Sequence, residues 1–433
     1  MIHKNVSLNI NNGVNRRLFL RLLSLSTLST WFIQNTALSQ LVDLSQLTLL
    51  NIVDFGARGD GIHDDSLAFQ KACDYAKQIG GARIHLPDPI KYYRLTFPIY
   101  LSSNTEIYGQ GAATKIIFED PIFNKGRGGF VIGSSLEANS YFAHEWYRSK
   151  KKSTTINPDF KNPVQRQYLR DNPEFVQAEN SLIHDVLLQA IFTSENEQAW
   201  GGYGINFVNA RDCHAYNIWG MGWTQLIGMG SDVPPETPSN HNCSAKNLVV
   251  IKPDLRRTYY SIGFIANSTN CTIDNARQDA PMTANTPNGS GVATNLCEDC
   301  IIKNITIPDL GRTLTSEGIL INNSSGCVVE NIFIGNAKTA VSVFYSMKDT
   351  LNPLKPNTLN KIEGKNCDAV LTIYSKYNVI KNVTGEDCSA IIVLKNNNAT
   401  HNEIYSSPGN VSAPENRLRK FTSNNTFISS QLK

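Results

Sequence analysis

The chain has 433 residues, of which 41% are hydrophobic and only 18% charged, a composition that supplies a large core and excludes a disordered chain. Its formal net charge of +3 is too small for the basic surface that nucleic acid or an anionic membrane requires.

The first stretch in chain order reads as an address rather than a fold. Asn15-Arg16-Arg17-Leu18-Phe19-Leu20 precedes an apolar run of moderate length, and small residues at Ala37 and Ser39 suit a cleavage site. This pattern resembles a bacterial twin-arginine export signal, with an ordinary secretory signal or a membrane anchor as the alternatives. It implies a signal peptide over 1–39 and a periplasmic or secreted remainder, 40–433, read as a single domain. No later run approaches the ~18 apolar residues of a membrane span, so no stable membrane insertion is expected once the signal is removed.

Residues 51–111 read as an N-terminal cap. Asp64 and Asp65 can start a helix whose apolar residues Leu67, Ala68, Ala72, Tyr75 and Ala76 share one stripe, and Gly80-Gly81 ends it. "ARIHLP" then reads as a first strand. The acidic group Asp60, Asp64 and Asp65 lacks the full ligand set of a calcium loop; a helix start explains it better, and neither metal nor cofactor is assigned. Residues 134–180, including "HEWYRSKKK", show no clear period and read as a long excursion walling a cleft, with disorder as the alternative.

From 204 to 405 the chain repeats. A cysteine stands four residues before an asparagine at Cys213/Asn217, Cys243/Asn247, Cys271/Asn275, Cys300/Asn304 and Cys327/Asn331. The asparagines are spaced by 30, 28, 29 and 27 residues, and Lys361 and Asn382 continue the slot. Such a period marks a solenoid. Each period carries three short β-runs, as in "GILI", "CVVE" and "IFI", too short and too poorly spaced for helices. Three strands per turn, stacked ~4.8 Å apart, make a parallel β-helix. Stacking places the cysteines in an inward column as buried, reduced thiols. Each asparagine then occupies a left-handed bend, where its amide can bond an adjacent rung.

"DFGARGDGIHDDSLAFQKACDYAKQIGGARIHLP" closely resembles the N-terminal signature of the pectate-lyase-like superfamily, which includes rhamnogalacturonase-related and polygalacturonase-related proteins. The resemblance implies an all-β, right-handed parallel β-helix with an N-terminal capping helix, usually acting on polysaccharide. It belongs to cap and fold and leaves the reaction open. In the polygalacturonases, catalytic carboxylates lie at strands beginning "DGI" or "DDCIAI", and a His-Gly follows on a later rung. Here Thr315-Ser316-Glu317-Gly318-Ile319 places Glu317 in that acidic slot, without the paired aspartate, His-Gly or Arg-Ile-Lys. Polygalacturonase machinery is therefore not expected.

An internal echo supplies the other candidates. "PDLRRTYYSIG" and "PDLGRTLTSEG" place Asp254 with Arg257 and Asp309 with Arg312 in equivalent turns, and "ARQDAP" between them holds Arg277 and Asp279. Stacked, these turns would put carboxylates ~5 Å or ~10 Å apart, separations that suit glycosidases, while the arginines would pair with uronate carboxylates. A salt-bridge ladder is the structural alternative. Tyr259, Tyr260, Trp219 and Trp223 could offer flat surfaces to sugar rings or simply pack. His214 and His241 read as structural, and His184 has no recognisable partner. The expected function is cleavage of glycosidic linkages in an acidic polysaccharide, with Asp279, Glu317, Asp254 and Asp309 as catalytic candidates. Hydrolysis is slightly ahead of β-elimination; epimerisation and non-catalytic glycan binding are the alternatives.

Overall fold

The computed structural model describes residues 46–119, 128–133, 178–191, 202–230, 240–253, 260–282, 289–311, 316–344, 355–395, 401–406 and 426–429. The expected signal peptide and nearly all of the expected excursion lie outside them. The described residues form an all-β, right-handed parallel β-helix. Sheet A has 16 described strands, from Thr48–Asn51 to Thr426–Ser429, and sheet B has 10, from Ile99–Leu101 to Ala390–Leu394. No helix among these residues is long and apolar enough to cross a membrane.

One rung shows how sequence sets geometry. Glu317–Asn322 runs in sheet B, the chain turns a corner through Asn323–Cys327, and Val328–Gly335 runs in sheet A. Ile319 and Ile321 point into the coil from one wall, and Val329, Ile332 and Ile334 from the other; all are at most 2% exposed. In the first rungs the second and third β-runs are separate strands, Thr105–Tyr108 and Lys115–Glu119, and both pair with the single strand Leu182–Ile191. From that strand onward the two runs stay joined and bend at one residue.

That bend is the expected asparagine slot. Asn217, Asn247, Asn275, Asn304, Asn331, Lys361 and Asn382 all have φ between 52° and 57°, the left-handed region that asparagine tolerates best. The amides form a ladder in which each Nδ2 donates to the preceding rung: Asn217 to Asp185 at 2.9 Å, Asn247 to Asn217 at 2.9 Å, Asn275 to Asn247 at 2.7 Å and Asn331 to Asn304 at 2.7 Å. Asn304 steps aside to Asp274, at 2.7 Å.

The cysteine column is equally regular. Cys213, Cys243, Cys271, Cys300 and Cys327 each precede a sheet A strand and are at most 1% exposed, and all nine cysteines are buried and unbridged. The thiols of Cys213, Cys243 and Cys300 donate to carbonyls of the preceding rung, Ala178, Ala210 and Ser268, at 3.3–3.5 Å. Burial pushes the Cys367 thiol up to about 11. Beyond Cys327 the same column becomes buried asparagine: Asn357 donates to Asn378 at 3.3 Å and Asn378 to Asn402 at 2.8 Å.

A helix, α1 (Ser66–Gln78), packs at the N-terminal end of the coil. Its buried stripe is turned from the expected one. Phe69 and Cys73 point inward with Ala68, Ala72 and Ala76, while Leu67 is 63% and Tyr75 43% exposed. Phe69 sets the rotation, because its ring packs against Tyr93 and Phe130. Asp65 is the N-cap residue, yet its carboxylate makes no capping bond. It accepts instead from Arg58 N at 2.7 Å and Gly59 N at 3.2 Å, pinning the incoming loop. Asp64 accepts from Ser66 N at 3.0 Å and Thr96 Oγ1 at 2.6 Å. Asp60 folds its own turn by accepting from Ile62 N and His63 N, both at 2.8 Å. Gly81, at φ 140°, ends the helix where a Cβ would lie 2.6 Å from that of Asn104.

Candidate functional site

The outer face of sheet B carries the densest set of groups suited to a polymer ligand. Tyr260 stacks on Phe264 with ring centroids 5.1 Å apart, and with Ala266, Ala293 and Leu320 they form an apolar patch separate from the main core. Farther along, Phe344 meets Tyr374 edge to face at 5.1 Å, and Lys395 Nζ lies 6.0 Å over the Tyr374 ring. Phe344 remains 38% exposed, so an aromatic face and a cation are available at the surface.

Glu317 opens a strand between these two aromatic groups, in register with Thr339. Burial raises its pKa, and this outweighs the Ser342 hydroxyl and the Lys338 ammonium, which favour the charged form. The Ser342 contact is a poorly aligned one, because Ser342 Oγ reaches no partner of normal hydrogen-bond geometry. The Tyr374 phenol is raised by burial and by the Glu317 charge, which ties it to the same group. A carboxyl held protonated to higher pH can donate a proton to a leaving oxygen.

Buried polar atoms without partners collect on this face as well. Tyr100 OH, Gln225 Oε1, Asn322 Oδ1 and Ser342 Oγ are all buried and unpaired, and all belong to sheet B strands. Such atoms are costly within a closed core.

The other sequence candidates are dispersed. Asp254, Arg257, Tyr259 and Arg312 lie outside the described residues. Arg277 and Asp279 form an exposed ion pair at 2.9 Å within one chain segment. Asp309 accepts from Gly311 N at 3.0 Å and Asn336 Nδ2 at 2.8 Å, which commits it to its turn. The expected interleaved ladder is not formed by these residues, because Arg277 stands within a strand, between Val249 and Thr306, whereas both aspartates lie in turns. Trp219 is half-buried on sheet A between Leu187 and Val249, away from the face that carries Tyr260 and Glu317. Trp223 is a core residue and offers no surface to a sugar. It is 2% exposed, donates from Nε1 to the Leu188 carbonyl at 3.0 Å and meets Phe118 edge-on.

His184 does have partners. Its Nε2 lies 2.9 Å from Glu106 Oε1 and its Nδ1 2.6 Å from Asp185 Oδ2. Arg83 binds the same Glu106 through Nε and Nη2. Burial pushes Glu106 up, but the hydrogen bonds from His184 and Arg83 more than reverse it, and its pKa is lowered. The rings of His85, Tyr108, His184 and Tyr216 stack in one column at 4.3–5.6 Å. Asp185 also receives Asn217, so this network anchors the first end of the amide ladder. His214 is satisfied by Ser244 Oγ at 2.9 Å.

Residues 49–162 match the family model described as rhamnogalacturonase A/epimerase, pectate lyase-like. That match and the coil support the superfamily resemblance of the cap. Tailspike protein 2 of the Escherichia coli O157:H7 bacteriophage CAB120 aligns over 83% of this chain and 42% of its own, with a TM-score of 0.51 and 13% identity. A mutant tailspike protein of the E. coli bacteriophage HK620, solved with a pentasaccharide, aligns over 91% of this chain and 67% of its own, with a TM-score of 0.53 and 12% identity. These likenesses show the fold. Over 61 residues, 14% of the chain, it is 41% identical to plasmin and fibronectin-binding protein A of Streptococcus pneumoniae, of whose length it spans 8%.

Proposed function

We propose that the outer face of sheet B binds an acidic polysaccharide and that Glu317 is the general acid in cleavage of its glycosidic bonds. The observation that carries this reading is a partly buried carboxyl with a raised pKa between two aromatic groups, beside Lys338 and with Lys395 over the Tyr374 ring. The cations suit a uronate, and the rings suit the C–H faces of sugars. The HK620 tailspike, solved with a pentasaccharide, supports a glycan as the ligand. Asp279, ion-paired with Arg277, is our candidate for the carboxylate that activates water. Among the described residues of the outward rows around Glu317, however, no second carboxylate appears. That observation favours a second reading, β-elimination or binding without turnover.

A panel of acidic glycans, assayed for reducing ends and for the ultraviolet absorbance of unsaturated uronates, separates these readings. Hydrolysis gives reducing ends without absorbance, and Asp279→Asn then lowers turnover by at least ~100-fold. Growing absorbance selects elimination, and binding with neither signal overturns catalysis. We also propose twin-arginine export, motivated by Arg16-Arg17 ahead of an apolar run. Replacing both arginines with lysine should trap the precursor in the cytoplasm. Unimpaired export of that variant with the twin-arginine pathway blocked would assign another route.

A further inference from the structure

The bend column of sheet A is interrupted at one rung. After Asn331 the slot is filled by Lys361 at φ 53°, a backbone conformation that lysine adopts only at a cost. The amide ladder shifts aside there, with Asn382 donating to Asn360 at 2.9 Å and Asn360 to Glu330 at 2.8 Å. The lysine is therefore a departure from a repeat that asparagine satisfies on six other described rungs.

A groove of about 280 Å³ lies at this interruption, lined by Thr306, Phe333, Lys361, Glu363 and Thr384 among others. Thr306, Phe333, Glu363 and Thr384 follow one another in register on successive rungs. Lys361 and Glu363 are exposed and Phe333 is half-buried. The volume sits at the lower end of the range for ligand pockets, ~300 Å³, a size for a single sugar residue rather than a peptide or a helix.

The chemistry narrows the ligand. A densely anionic chain such as nucleic acid would meet Glu363, and a neutral sugar would make no use of the Lys361 charge. A residue with one carboxylate and several hydroxyls satisfies both, its carboxylate on Lys361 and its hydroxyls donating to Glu363. Phe333 offers the apolar face against which sugar C–H groups pack.

We propose that this groove is a second, non-catalytic site that binds one uronate residue of an acidic glycan, on a different sheet from Glu317. The proposal shares its ligand class with the proposed function, but the two fail separately. The test titrates a defined oligogalacturonate, and its carboxyl-reduced neutral counterpart, into the Glu317→Gln protein with and without Lys361→Asn. Asparagine restores the repeat, so this variant keeps the fold, and melting temperature verifies it; Phe333→Ser serves as an independent second variant. Expected is a binding step, selective for the acidic oligomer and additional to any binding on sheet B, that weakens at least ~10-fold in each variant. Affinity unchanged within about twofold, equal binding of the neutral oligomer to the parent, or absence of the step overturns the site. Turnover measured for Lys361→Asn alone should stay at the parent level, whereas the loss of turnover in Glu317→Gln judges the sheet B reading by itself.

Discussion

The outer faces of sheets A and B use polar side chains in opposite ways. On sheet A they are paired with one another. Asparagine amides bond from rung to rung, and Arg83, Glu106, His184, Asp185 and Asn217 form a connected network. On sheet B, polar atoms of Tyr100, Gln225, Asn322 and Ser342 are buried without partners, and burial raises the one carboxyl among them, Glu317. A face whose groups satisfy each other stabilises the coil, while a face that leaves them unpaired is arranged for something that is not part of the coil. Among the described residues, Lys361 is the one place in the sheet A bend column where the repeat gives way to a cation.

The comparison is broken most forcefully at the buried network. Truncating Glu106 takes the shared acceptor from His184 and Arg83, so Glu106→Ala should cost roughly 3 kcal/mol of unfolding free energy, measured by denaturant titration at neutral pH. A cost comparable to that of a surface ion pair would show that the network is solvated. Its pH dependence follows from sign. Because Glu106 has a folded pKa below its ordinary 4.5, its contribution is fully present above that value and is lost as pH falls through the folded one. Stability of the parent should therefore decline in this acid window, and Glu106→Gln should flatten the decline.

Smaller effects come from single places in the repeats. Asn247→Ala removes the bond to Asn217 and the one from Asn275 and should cost about 1 kcal/mol. Cys271→Ala should cost about 1 kcal/mol through a small cavity, and alkylation under denaturing, non-reducing conditions should modify Cys271, Cys300 and Cys327. Disulfides at those residues would contradict the thiol column. Least of all, Lys361→Asn should raise stability by about 0.5 kcal/mol, since asparagine suits the left-handed bend; a loss would show that Lys361 itself is structural.

The coil was legible in the sequence because stacking writes itself as a period. Asn331 and Cys327 recur at rung spacing for the same reason that they bond across rungs. The slot in "TSEGI" also singled out Glu317, which opens a sheet B strand and whose role is proposed. Other features depended on contacts that no local pattern records. Glu106 and His184 lie 78 residues apart, so their pairing leaves no short-range trace. The turned stripe of α1 follows from Phe69 meeting Tyr93, which a helical period alone does not specify. Phe344 and Tyr374 left a faint signal: Phe344 closes the short apolar strand beginning at Thr339 and Tyr374 follows the one beginning at Ala369, so aligning strand ends as well as strand starts exposes the pair. Trp223 was misplaced because a glycine-spaced loop suggests exposure, whereas its chain position after Gly222, at φ 74°, leads the ring into the core.

The central claim is that Glu317 serves chemistry at some expense to the fold. A carboxyl with a raised folded pKa binds its proton more tightly in the native state, so its contribution to stability diminishes as pH rises from the unfolded pKa through the folded one. At pH 7, above the ordinary carboxyl pKa, the group therefore burdens the fold in a way that glutamine does not. The decisive measurement is turnover beside melting temperature for Glu317→Gln, on whichever acidic glycan the parent cleaves, at pH 7 and again at pH 4. The account predicts turnover lower by at least ~100-fold, with a melting temperature raised at pH 7 and unchanged near pH 4. Parental turnover, or turnover lost together with a lowered melting temperature at pH 7, would contradict it.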